Sequence, residues 1–150
     1  MEPPAPQSLN RVALAATWHC LTGCAIGEIL GLVIASALEW GNLASIAIAV
    51  VLAFFFGYSL TLRPLVRGGV PLPRAARVAL AADSVSITVM EIVDNAIVLL
   101  IPGAMAAGLG ELVFWWSLVL GLAIAFVAAF PVNRLLIARG RGHAAVHAYH

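Results

Sequence analysis

The sequence predicts an all-α integral membrane protein in which four transmembrane helices form a bundle. Of its 150 residues, 63% are hydrophobic and only 10% are charged, whereas soluble domains carry about 25% charged residues. The mean hydropathy of +1.03 indicates the same class. Four stretches also reach the length of about 20 apolar residues that a membrane helix needs.

The four predicted spans cover residues 12–38, 42–62, 78–101 and 112–138. The third is the least apolar because it contains Asp83, Glu91 and Asp94, but almost all its other residues are apolar or small. We therefore expect one four-helix transmembrane domain, followed by a short His-containing cytoplasmic tail over residues 139–150.

The arginines predict the orientation of the bundle. With four spans, all eight arginines fall on one side of the membrane, around the second loop and near the two termini. The positive-inside rule then places both termini in the cytoplasm. The formal net charge is only +1, which excludes the basic footprint of a nucleic-acid-binding protein.

The first span contains two neighbouring stripes of residues spaced four apart. Cys20, Cys24 and Glu28 form a polar stripe, because residues four apart share one helix face. The second stripe consists of the helix-packing residues Gly23, Gly27 and Gly31. Small residues at this spacing let another helix approach closely, and we expect that helix to be the third span.

The third span carries its acids on one side. Asp83, Met90 and Asp94 share a face, and Glu91 flanks it. A charge in mid-bilayer costs about 2.5–3.5 kcal/mol on the insertion scale, so ionisable residues there are functional candidates. Together with Glu28, these acids form a candidate ion or proton pathway. Asn133, near the end of the fourth span, is expected to hydrogen-bond between helices.

Matching depths in spans one and three predicts three polar levels. His19 is expected near Asp83, Cys24 near Met90, and Glu28 near Asp94 and Glu91. Thiolate and thioether ligands select Cu(I) and similar soft ions, and imidazole also suits copper. The resulting candidate metal ligands are His19, Cys20, Cys24 and Met90.

The tail offers a further metal-binding candidate. His143, His147 and His150 would share one face of a helix. His-rich tracts bind metals readily, so the tail is either a cytoplasmic metal site or a solvated segment that happens to be rich in His. The sequence leaves both interpretations open.

Three motifs carry a resemblance to a known family: HCLTGCAIGE from His19, MEIVDN from Met90 and FPVNR from Phe130. They resemble a family of small, mostly bacterial, multi-span membrane proteins catalogued as a domain of unknown function. The resemblance covers nearly the whole chain and implies a helical membrane fold, without an established activity. It places the chain in the inner membrane of a bacterium.

The leading functional hypothesis is a membrane-embedded protein that binds Cu(I) or another soft metal in metal transport or homeostasis. One alternative is a small proton- or cation-coupled carrier that uses the intramembrane carboxylates. Another is an accessory subunit of a larger membrane complex. We expect no enzyme activity, haem or nucleotide. The expected partners are the lipid bilayer and either further copies of the chain or a larger complex, with no nucleic acid.

Overall fold

The computed structural model describes residues 8–139, which fold into four long antiparallel helices. These are α1 (Leu9–Ala37), α2 (Asn42–Arg67), α3 (Leu72–Leu100) and α4 (Leu112–Ala138), with one 3₁₀ turn at Ala104–Ala106 before α4. Each helix packs beside the next, and α4 returns to α1. Consequently α1 and α3 face each other across one diagonal of the bundle, while α2 and α4 occupy the other. The four-helix bundle is thus confirmed.

Two helices extend further than the apolar stretches predict. α2 continues past residue 62 to Arg67, and α3 begins at Leu72 instead of residue 78. The intervening turn is short because Gly68 caps α2, Gly69 has a φ of 90°, and Pro71 precedes α3. Arginines end a hydrophobic stretch without ending a helix. Those expected around the second loop therefore lie on helix ends, namely Arg63, Arg67, Arg74 and Arg77.

Small side chains fill the interior of the bundle, and large apolar side chains cover its outside. Its fully buried positions include Ala13, Ala53 and Ala125, whereas Leu43 is 83% exposed and Trp18 is 65% exposed. A water-soluble protein would bury such large apolar side chains. Interfaces between helices in a membrane are instead enriched in small residues. The distribution is that of a bundle surrounded by lipid.

Three helices, α1, α2 and α4, are long and apolar enough to cross a membrane. The chain is therefore a multi-pass membrane protein. α3 has 29 residues, as many as α1, but its acids and arginines make it less apolar. Asp83, Glu91 and Asp94 are all buried within the bundle, so their charge is not directed at lipid. That α3 is the fourth span remains a prediction.

The glycine stripe of α1 packs against α2, so the expectation that it packs against the third span is wrong. A Cβ added to Gly27 would lie 2.6 Å from the Cα of Ala53, and one on Gly23 would lie 2.8 Å from the Cα of Gly57. Gly31 meets Ala49 in the same way. The spacing correctly predicts a close approach. It does not identify the partner, which is the helix joined to α1 by a short turn.

Candidate functional site

The polar side chains of the bundle interior come mainly from the α1–α3 diagonal. α2 and α4 face them with small residues spaced four apart, and the backbones can therefore pack closely. On α2 these residues are Ala49, Ala53, Gly57 and Thr61; on α4 they are Ser117, Gly121, Ala125, Ala129 and Asn133.

The main feature is a carboxyl cluster made of Glu28, Glu91 and Asp94. Glu28 and Asp94 face each other at hydrogen-bonding range, and Glu91 lies close enough to interact electrostatically with both. Asp94 is 1% exposed and Glu91 is 4% exposed. Asp94 packs directly on Gly121 of α4, where a Cβ would overlap its carboxyl oxygen. The structure thus brings Glu28, Glu91 and Asp94 together, as the sequence predicted.

Most of the cluster's oxygen atoms receive no hydrogen bond. Within residues 8–139, no donor reaches Glu28 Oε1, Glu91 Oε1 or either carboxyl oxygen of Asp94. Asn95 Nδ2 lies 3.4 Å from Glu91 Oε2. Because carboxylate groups only accept hydrogen bonds, two that face each other attract only through a shared proton or a cation. Two ionised groups at this range would repel each other.

A cavity reaches the cluster from the end of the bundle where the α3–α4 connector lies. Its volume is about 60 Å³, and Glu28 and Asn95 line it together with residues of all four helices and the 3₁₀ turn. A water molecule needs about 10–15 Å³ of such volume, so several waters fit. The described arginines lie at the opposite end of the helices. Arg11 is about 25 Å along α1 from Glu28, at 1.5 Å per residue.

Both cysteines contact acids of α3. Cys20 Sγ lies 3.7 Å from Asp83 Oδ1, and Cys24 lies close enough to Glu91 to interact with it electrostatically. Both cysteines are buried, and neither is in a disulfide. We call Cys20–Asp83 and Cys24–Glu91 the thiol–carboxyl pairs. They continue the polar interior from the carboxyl cluster towards the arginine end.

A network of neutral polar groups follows at that end. Asn133 Nδ2 of α4 donates to Thr17 Oγ1 of α1 and to Ser86 Oγ of α3, both at 3.0 Å. This confirms the expectation that Asn133 hydrogen-bonds between helices. His19 Nε2 lies 2.8 Å from Thr61 Oγ1 on α2. Polar contacts therefore run along much of the bundle.

The family model for a domain of unknown function, DUF4396, matches residues 9–142. The chain belongs to this family. The motifs singled out in the sequence lie within the matched segment, and the predicted family is confirmed. No curated protein and no solved structure matches the chain.

The DUF4396 chain keeps some of the predicted metal ligands together. Cys20, Cys24 and Met90 share one buried cluster, whereas the ring of His19 is turned towards Thr61. Within residues 8–139, no three or more His, Cys, Asp or Glu side chains are placed to hold one metal ion. The candidate tail ligands, His143, His147 and His150, lie outside the described residues.

Sequence reasoning missed three buried polar residues of this DUF4396 interior, Thr17, Thr61 and Ser117. A single Thr in an apolar helix carries little signal, because its hydroxyl can bond its own backbone, as Thr17 does with Ala13. One usable signal was present. The fourfold spacing of small residues on α2 and α4 marks the faces that turn inwards, and Thr61 and Asn133 continue those two series.

Proposed function

We propose that this protein is a small membrane carrier coupled to protons or another cation, and that the carboxyl cluster binds the coupling ion. One observation carries the proposal: three acids from two helices meet inside the bundle, and four of their oxygen atoms have no donor among the described residues. A purely structural contact between α1 and α3 would be more stable with apolar or amide side chains. Acids are useful there if they exchange a positive species.

The position of the cluster supports this function. Glu28 lines the cavity, whereas Asp94 is enclosed between Glu28 and Gly121. An ion arriving through the cavity would meet Glu28 first and Asp94 next. Intramembrane acids that face a bundle interior or a wet cavity commonly mark ion and proton pathways.

Replacing Glu28 tests the carrier function. In vesicles containing the purified protein, Glu28→Gln is expected to slow voltage-driven proton or sodium uptake on the order of 100-fold, because it removes the acid nearest the cavity. Uptake is followed with an entrapped pH-sensitive dye and with radioactive sodium. Glu39→Gln is the matched control, since Glu39 is exposed in the α1–α2 turn. Parental uptake of both ions by Glu28→Gln would refute the carrier proposal.

A second candidate is the binding of Cu(I) or another soft metal ion. It is favoured by the common buried cluster of Cys20, Cys24 and Met90, which gathers two thiols and a thioether. Such ligands prefer soft ions, and His19 is one residue from Cys20. Metal binding would release thiol protons, so the affinity should fall at low pH.

Titration against a Cu(I) chelator tests this second candidate. The double variant Cys20→Ser/Cys24→Ser is expected to lose tight binding, because a hydroxyl is a poor ligand for a soft ion. Replacing His143, His147 and His150 should reduce only the number of ions bound. Parental affinity in the double variant would exclude the thiol site.

We infer that the protein lies in a bacterial inner membrane with both termini in the cytoplasm. The inference rests on the gathering of the described arginines at one end of the bundle and on the positive-inside rule. Reporter fusions at the C-terminus and after Glu111 should give opposite signals, cytoplasmic and periplasmic respectively. A periplasmic signal from the C-terminal fusion would contradict this orientation and the crossing by α3.

A further inference from the structure

We infer, building on the carrier function proposed above, that the coupling ion is a proton and that it crosses the middle of the bundle through the thiol–carboxyl pairs. The layer below the carboxyl cluster decides which species can pass, and the thiol–carboxyl pairs are the groups in it that can exchange a proton.

The layer below the cluster is tightly packed. Its buried side chains come from all four helices and are Cys20, Cys24, Ala53, Ile87, Met90, Ala125 and Ala129. Each of them is at most 1% exposed. The cavity is lined by Glu28 and Asn95 but by none of these residues. The cavity therefore ends at the level of the carboxyl cluster.

The packing around this layer leaves no width for a hydrated ion. A Cβ on Gly57 of α2 would overlap the end of the Ile87 side chain, and one on Gly121 of α4 would overlap Asp94. Hard cations require several oxygen ligands to replace their water. Ala53, Ala125 and Ala129 supply none from their side chains. A proton needs only a sequence of groups that can each accept one hydrogen and release another.

The thiol–carboxyl pairs are suited to that exchange. A thiol carries one S–H donor and can also accept weakly. When Glu91 passes its proton to Cys24 Sγ, an O–H bond breaks and an S–H bond forms, and the original thiol proton leaves towards Cys20. Cys20 then releases its own proton to Asp83 Oδ1, 3.7 Å away. Only protons move, so no oxidant or reductant is needed.

The two pairs are one helical turn apart on α1. Side chains at this spacing are separated by about 5–6 Å between their Cβ atoms, and the proton of Cys24 must cross this gap to reach Cys20. Beyond Cys20, Asp83 lies in the first half of α3, the half that also carries Arg74 and Arg77. Ser86 lies beside Cys20 and accepts a hydrogen bond from Asn133 Nδ2.

Paired substitutions at each thiol test the path in vesicles of phosphatidylethanolamine and phosphatidylglycerol. A potassium diffusion potential drives uptake, and an entrapped dye reports internal pH. Cys24→Ala and Cys20→Ala are each expected to slow proton uptake on the order of 100-fold, because no group remains to exchange the proton. Cys24→Ser and Cys20→Ser should recover about a tenth or more of the parental rate. Thr22→Ala is the control, since Thr22 is exposed on the same helix and bonds its own backbone.

The possible results separate this inference from the proposed function. Parental proton uptake by either alanine variant would overturn the thiol path. Uptake of radioactive sodium without any proton movement would overturn the choice of ion and leave the carrier function intact. No loss of either flux in Glu28→Gln would overturn the carrier function itself. The two thiols are tested separately, so a folding defect in one alanine variant still leaves the other pair decisive.

Discussion

Gly27→Ala is expected to destabilise the bundle strongly, although it adds a single methyl group. The new Cβ would lie 2.6 Å from the Cα of Ala53, and backbone cannot rotate away as a flexible side chain can. α1 and α2 would have to separate along their whole contact. Overpacking commonly costs about 1–3 kcal/mol, and we expect the upper end of that range because backbone is involved. Thermal unfolding in detergent measures the loss.

Gly41→Ala is the matched control for Gly27→Ala. It makes the same chemical change just before α2, where a Cβ would meet no atom within 4 Å. Its unfolding temperature should stay at the parental value. If Gly27→Ala also unfolds at the parental temperature, the close contact between α1 and α2 is wrong.

Asp94→Asn is expected to separate function from stability. Asparagine has the same shape as aspartate, so it fits the space against Gly121. Its amide can donate to the unpaired Oε1 of Glu28, a net gain of about 0.5–1.5 kcal/mol for a typical hydrogen bond. Unfolding in detergent should therefore occur at the parental temperature or above. Ion uptake should fall on the order of 100-fold, because the enclosed acid no longer exchanges a positive species.

Both properties of Asp94→Asn must be measured on the same preparation. Glu39→Gln, which removes an exposed acid by the same isosteric change, should alter neither. A variant that unfolds several degrees earlier and retains parental uptake would show that Asp94 serves the packing of α3 on α4. That pair of results would remove the main support for an ion site.

The sequence predicted the membrane bundle from its apolar stretches, and it predicted the meeting of Glu28 with Asp94 because both lie equally far along their spans from the inner arginines. One level down, Cys24 and Met90 lie in one buried cluster, as expected. The sequence did not predict that Cys24 also interacts with Glu91, the residue next to Met90. Depth matching gives the level of a residue along its helix, and it does not give the side of the helix on which the residue lies.

The sequence could not predict which helix packs against which, for a different reason. The glycines at 23, 27 and 31 indicate a smooth face but carry no information about which helix covers it. The matching face of α2, Ala49 to Gly57, consists of residues that are common in any membrane helix. The structure was needed to show that two such faces meet.

The reactive side chains and the small side chains lie on different diagonals of the bundle, so helix spacing and side-chain chemistry can be changed separately. α1 and α3 supply the acids and thiols, while α2 and α4 act mainly as spacers whose small side chains set how far apart the other two helices stand. A change of acid on α3 can thus alter the ion chemistry at constant helix spacing. Conversely, exchanging Ala53 or Ala125 for a larger or smaller residue would change the distance between α1 and α3 and leave the acids and thiols unchanged. An engineer could adjust each property in its own pair of helices.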